Sequence, residues 1–463
     1  MIQALINTFK IPELRNKILF TLAMLAVFRI GHWIPLPGVD QEQLKKLFDI
    51  QLADNSAAAR ALQFVTVFGG GAFGHSTIFG LGIMPYISAG IIFQLLGSVL
   101  PRLKALQNEG PSGRQKVMEW TRLATVALCI IQGFGWLKYI DAQRLVYAQW
   151  SANPIWWVMA IMALTAGCVF LMWLGEQIDK YGIGNGVSLI IAAGILTRIP
   201  AAIGDVYKDF DPGQPGKMGY PAVFFLIAGF VLVVAGSVIM TVAQRRIPIQ
   251  QAKHTRGRKV FGGQKSYLPL RINHGGVMPI IFASSLMIFP TVIFTQVREM
   301  ATAGGASGTW AMVTRFLADA FQPGTFLYIV LYIVMIYFFS YFWITVQFNP
   351  EEMSKQLKEH GSFIPGLRPG PRTAEYLETV MSRVTFVGAA FLALVAVLPT
   401  VVNTSLGVTG TVSQFLGGTG LLIVVSVTMD FLQRVEANLL MRNYAGFLGS
   451  GDEGGPKLRG PRF

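Results

Sequence analysis

Phe64-Val65-Thr66-Val67-Phe68-Gly69-Gly70-Gly71-Ala72-Phe73-Gly74-His75-Ser76-Thr77-Ile78-Phe79-Gly80-Leu81-Gly82-Ile83-Met84-Pro85-Tyr86 is the stretch on which the fold turns. It is as apolar as a membrane segment, yet it holds six glycines in fourteen residues, from Gly69 to Gly82, and a proline follows at Pro85. Glycine loses the most backbone entropy on ordering and proline lacks the amide hydrogen, so one continuous stable helix does not form here. Interrupted backbone survives at membrane depth only inside protein or against a water-filled cavity. Two readings fit. The stretch is a short mobile element lining a pathway, or it is a close small-residue helix contact of the GxxxG kind.

The surrounding composition is that of a chain dissolved in lipid. Charged residues make up 13% and apolar residues 52% of 463 residues, with a mean hydropathy of +0.50; a soluble chain carries about 25% charged residues. Cys129 and Cys168 both fall in apolar segments and read as buried packing thiols, without disulfide or metal spacing. Residues 1–17 look amphipathic and lead into an apolar run with no small-residue cleavage pattern. They read as an interfacial helix before a retained first span.

A helix needs about 20 mostly apolar residues to cross the hydrocarbon. Ten segments qualify: 18–36, 76–99, 120–139, 154–175, 183–200, 220–243, 276–296, 325–347, 382–402 and 415–433. An even number puts both termini on one side. With the termini cytoplasmic, 26 Lys and Arg fall on that side against 10 outside, which satisfies the positive-inside rule. Ten spans divide into five and five, and an odd number per half makes the second half enter inverted. The expected fold is an all-α polytopic membrane protein with ten transmembrane helices in two inverted pseudo-repeat halves. Residues 1–200 form the first half and 220–433 the second, joined by an external hinge loop, 201–219, and followed by a cytoplasmic tail, 434–463.

Two cytoplasmic loops stand out. Residues 244–274 carry Arg245, Arg246, Lys253, Arg256, Arg258, Lys259, Lys265 and Arg271 without an acid among them. Such a run stands in water beside the membrane and offers a docking place to something acidic, while plain topological anchoring accounts for the flanking Arg245, Arg246 and Arg271. The second loop, 349–382, presents Arg368 in a Pro-Gly-rich tip.

Several blocks resemble the SecY family of protein-translocation channels, in that family's order through nearly the whole chain. They are Phe79-Gly80-Leu81-Gly82-Ile83-Met84-Pro85-Tyr86-Ile87-Ser88-Ala89, Leu171-Met172-Trp173-Leu174-Gly175-Glu176-Gln177-Ile178 and Gly182-Ile183-Gly184-Asn185-Gly186-Val187-Ser188. Further matches are Gly276-Val277-Met278-Pro279-Ile280-Ile281-Phe282-Ala283-Ser284-Ser285, Phe348-Asn349-Pro350 and Phe363-Ile364-Pro365-Gly366-Leu367-Arg368-Pro369-Gly370. The last is Gly417-Gly418-Thr419 with Met429-Asp430.

The resemblance implies a central pore narrowed by a ring of Ile83, Ile87, Val187, Ile191, Ile281 and Ile423. Branched aliphatic side chains dewet a narrow gap and give a sliding polypeptide no directional bonds. It implies a plug at about 64–76, carrying Phe64, Gly69, Gly70, Gly71, Phe73, Gly74 and His75. A lateral gate between the second and seventh spans would hold the polar residues Ser88, Gln94, Gln132, Ser284 and Ser285. Ordinary structural hydrogen bonding within a bundle is the alternative for each of these five.

The implied function is a protein-conducting channel of the general secretory pathway. It passes unfolded chains across the membrane and releases apolar segments sideways into lipid, recognising signal sequences of preproteins as it does so. The implied driving partners are the motor ATPase SecA or a translating ribosome, docking on Arg256, Arg258, Lys259 and Arg368. The companions are SecE and SecG, with SecDF and YidC beyond them, in the inner (plasma) membrane. No cofactor and no metal are implied.

No G-x-x-x-x-G-K-[ST], H-E-x-x-H or serine-elbow motif is present, which argues against enzymes built on those motifs. An ion-coupled carrier of a small solute is the competing class, because inverted repeats and broken helices mark carriers too. Carriers place ionisable groups at the midplane, whereas Arg29, Arg122, Glu176, Asp179 and Asp430 lie within or near span ends here.

Overall fold

Prolines mark where the helices begin. Pro12, Pro85, Pro111, Pro154 and Pro221 each occupy one of the first two positions of a helix, where a missing amide hydrogen costs no bond and the fixed φ suits the first turn. The computed structural model describes residues 11–44, 46, 76–151, 153–197, 199–211, 219–251, 254–256, 259–261, 265–273, 275–303, 309–322, 325–406 and 419–448.

Each of the ten expected spans has a helix. In chain order these are α1 Pro12–Gly31, α2 Met84–Val99, α3 Pro111–Ala142, α4 Pro154–Tyr181, α5 Gly186–Leu196, α6 Tyr220–Val242, α7 Met278–Ala303, α8 Phe326–Gln347, α9 Pro371–Leu406 and α10 Thr419–Leu448. Among the described residues, five helices are long and apolar enough to cross a bilayer singly, and six with the bent pair Met84–Gly97 and Pro101–Gln107. Large apolar side chains face outward, as on α6, where Phe224, Phe225, Ile227, Val231, Leu232 and Ile239 are exposed while Leu226, Val233 and Ser237 are buried. In a membrane protein that exposure is the lipid-facing surface.

The boundaries depart from the expected spans for local reasons. The first helix covers Pro12–Gly31 rather than 18–36, because Pro35 and Pro37 follow its cap at His32. The second starts at Met84, not 76; residues 76–83 form consecutive turns, with Gly82 at a φ of 57° that side-chain-bearing residues rarely adopt. The fifth shortens to eleven residues, about 16 Å at about 1.5 Å per residue. Its lining is protein: Gly186, Ile190, Ile191, Ala192, Gly194 and Ile195 are all buried. Helices α3, α9 and α10 run past the apolar windows into exposed polar turns.

Packing repeats between the halves. In the first half α1 packs on α4 and α5, α2 on α3 and α4, α3 on α4, and α4 on α5. In the second half α6 packs on α9 and α10, α7 on α8 and α9, α8 on α9, and α9 on α10. Adding five to each helix number converts the first list into the second. The halves join most extensively where α5 meets α10.

The fold is mostly helical, and the two long loops add strands to it. In the first loop β1 (Gln244–Gln251) pairs antiparallel with β4 (Lys265–Arg271), and β2 (His254–Arg256) with β3 (Lys259–Phe261). A fifth strand, β5 (Ser362–Phe363), comes from the second loop and adds to β1, giving the sheet order β4-β1-β5. Alternation explains the strands: Ile247 and Ile249 are buried on one face of β1, and Leu268 pairs with Ile247 from β4. That face closes over Leu270, Phe348, Ile364, Leu377 and Met381. The two loops are one folded unit with its own core.

Candidate functional site

The six ring candidates come from four helices and fall in or against one large hydrophobic core. Ile83, Ile191, Ile281 and Ile423 are buried in one hydrophobic cluster that draws on both halves, and the half-buried Ile87 and Val187 pack against it. Each pair is positioned by identifiable local chemistry. Ile83 sits at the N-cap of α2, just after the Gly82 turn, and its carbonyl accepts the Ile87 amide at 3.1 Å, so the two lie one turn apart. The turns before it are tied to the end of the first span. The Leu36 amide donates to the Ser76 carbonyl at 2.9 Å and the Ile78 amide to the Ile34 carbonyl at 3.1 Å.

Val187 and Ile191 depend on the turn before α5. Asn185 caps the helix by accepting the Ser188 amide at 3.1 Å, and Asp179 at the end of α4 accepts the Gly186 amide at 2.7 Å. Thr21 on α1 accepts the Ile183 amide at 3.1 Å, and Arg434 on α10 donates to the Gly184 carbonyl at 3.3 Å while pairing with Asp430 at 2.9 Å. Three helices therefore hold one glycine-rich turn. Gly186 also crosses α4 so closely that a Cβ there would run into the Gly175 carbonyl.

The polar gate candidates fall on α2, α3 and α7. Ser88, Gln94 and Gln132 are half-buried. Ser284 is buried and turns its hydroxyl back into its own helix, donating to the Ile280 carbonyl at 2.6 Å, and it faces Tyr332 on α8. The side chain of Ser285 lies outside the described residues. So do the plug candidates Phe64, Gly69, Gly70, Gly71, Phe73, Gly74 and His75, and Arg258.

Arg256 and Lys259 pair in register across β2 and β3, which places them at the end of that strand pair. Arg368 is exposed on the second loop, and the loop beneath it is pinned. Thr373 donates to the Arg368 carbonyl at 2.9 Å and Ser354 to the Gly370 carbonyl at 2.7 Å, and both hydroxyl-bearing residues are buried. Sequence reasoning missed these two anchors, and it missed the Arg122–Glu176 ion pair between α3 and α4. No periodic signal marks a pair 54 residues apart. Among the described residues no group of His, Cys, Asp and Glu is placed to hold a metal ion.

A family model, SecY, matches residues 77–432, more than three quarters of the chain. This chain belongs to the SecY family. The SecY protein translocase subunit of Thermotoga maritima is 39% identical over 463 residues, covering 100% of both chains. That of Corynebacterium glutamicum is 40% identical over 454 residues, covering 96% of this chain and 99% of the relative. Among solved structures, one described as a protein conducting channel superposes with a TM-score of 0.58 at 18% identity, over 94% of this chain and 95% of the other. Sec61 in a canine ribosome-channel complex gives 0.55 at 17% identity, over the same shares.

As a SecY protein, the chain is a multi-pass, non-enzymatic protein-conducting channel subunit of the Sec translocase. That sets aside the ion-coupled carrier.

Proposed function

We propose that this SecY chain seals its pore with Ile83, Ile87, Val187, Ile191, Ile281 and Ile423, passes unfolded secretory polypeptides through that ring, and releases apolar segments sideways between α2 and α7. The observation that carries this reading is that all six side chains, from four helices and both halves, lie in or against one hydrophobic cluster. The packing supports the sideways opening. Helix α2 finds its main partners within the first half and α7 within the second, while α5 and α10 hold the halves together elsewhere. A seam with its main joint on another pair of helices can part without unfolding either half.

The proposed division is residues 1–200 and 220–433, with 201–219 as the external hinge and 434–463 as a cytoplasmic tail. The proposed setting is a bacterial plasma membrane with both termini cytoplasmic, supported by the 26-to-10 distribution of cations. SecE and SecG are the proposed companion subunits. SecA or the ribosome supplies the drive at Arg256, Arg258, Lys259 and Arg368. The likeness to Sec61 in a ribosome-channel complex supports a ribosome in that role, and a cationic tip needs only phosphate contacts to bind RNA.

A stalled secretory chain, with a photoreactive residue at position 87 or 191 of this protein, tests the reading. Crosslinks from both positions to the stalled chain are expected. Crosslinks to lipid or to other helices alone would remove these residues from the path.

A further inference from the structure

Between α7 and α8 lies a helix, Thr309–Ala320, at the end of the molecule away from the loop-built sheet. It packs along the outer part of α7. Thr291 donates to the Phe321 carbonyl at 3.1 Å, the Phe294 and Phe321 rings lie 4.8 Å apart, and Arg298 pairs with Asp319 at 3.3 Å. A helix in water would turn its large apolar side chains toward that contact. This one buries Thr314 and Ala318 instead, and exposes Trp310, Met312, Val313 and Phe316 at 60, 74, 48 and 68%.

The helix has three faces. With successive side chains about 100° apart, Thr314 and Ala318 share one face and Met312, Val313 and Phe316 the opposite one, with Arg315 and Asp319 along an edge between them. Protein, apolar surroundings and water each receive the side chains that suit them. Depth agrees with this arrangement. Helix α8 runs 22 residues from Phe326, or about 33 Å, close to the roughly 30 Å of a hydrocarbon core. Phe326 is 82% exposed, and the apolar surface continues from it through Leu327 and Val330. The short helix ends just before Phe326, so it lies at the edge of the hydrocarbon, where tryptophan and amphipathic helices settle.

We propose that Thr309–Ala320 is an interfacial anchor that inserts Met312, Val313 and Phe316 among lipid acyl chains, with Trp310 at headgroup level and Arg315 and Asp319 toward water. It holds the part of α7 beyond Pro290, the proline inside that helix, against the bilayer surface. The occupant is lipid because the apolar face continues the lipid-facing surface of α8, and because its polar edge lies on one side only.

Spin labels on three variants of the full-length chain, Met312→Cys, Phe316→Cys and Arg315→Cys, test the anchor in phosphatidylethanolamine–phosphatidylglycerol vesicles. The native Cys129 and Cys168 are fully buried. Accessibility to oxygen relative to a water-soluble nickel chelate is expected to be severalfold higher at 312 and 316 than at 315. Equal nickel access at all three positions would place the helix in water. Low access to both reagents at 312 and 316 would mean that protein covers the face. Either result overturns the proposal.

Discussion

The Arg122 guanidinium meets the Glu176 carboxylate through two parallel bonds, Nε to Oε1 and Nη2 to Oε2, each 2.8 Å long. The pair bolts α3 to α4 a few residues before Asp179, the side chain that anchors the turn leading into α5. A fork of this kind fixes orientation as well as distance, which lysine cannot do. Both side chains keep substantial exposure, 43% and 26%, so solvent screens much of the attraction. A double-mutant cycle with Arg122→Ala and Glu176→Ala is expected to yield a coupling of about 1 kcal/mol in detergent unfolding. Additive effects of the two changes would show that the fork stabilises nothing.

Gly186→Ala is expected to be far more damaging. The new methyl group would strike the Gly175 carbonyl, a backbone atom that cannot rotate away. Separation of α4 from α5 would loosen the crossing that sets Val187 and Ile191. A destabilisation of several kcal/mol is expected, with little folded protein reaching the membrane. Wild-type thermal stability in the variant would contradict the close approach.

Removing branched side chains from the ring should open a leak. In Ile87→Gly with Ile281→Gly, two of the six clustered side chains vanish, from α2 and α7. The wider gap is expected to stay wet and the resting channel to conduct ions in planar bilayers. Unchanged conductance would count against the ring.

Charge reversal at the exposed tip isolates docking from folding. Arg368→Glu is expected to block export of a secreted preprotein while the channel itself still inserts, because no described side chain pairs with Arg368. Normal export in this variant would take Arg368 out of the partner site.

The tip's anchors allow a subtler test. Thr373→Ala removes the hydroxyl bonded to the Arg368 carbonyl. Loss of about 1 kcal/mol of ordering lowers partner affinity by about fivefold, and Thr373→Ser restores it. Equal affinity of the alanine and serine variants for SecA-containing or ribosome-containing fractions would show that the loop needs no such pin.

Hydrophobic length and charge are properties of the chain read in order, so the sequence by itself determined ten helices and the two long loops facing one side. The six aliphatic candidates were legible only through resemblance, since apolar residues one turn apart occur on every helix of a bundle. Tertiary structure decided the rest. Gln244–Gln251 became a strand because Ile247 found a shared core with Phe348, Ile364 and Leu377 at and within the other loop, more than 90 residues away. Helix α5 runs eleven residues with six of them buried by protein. Arg122 found Glu176, and Thr373 found the Arg368 carbonyl, through folding that no local period records. Side chains choose partners by position in space, and only the packed helices supply that position.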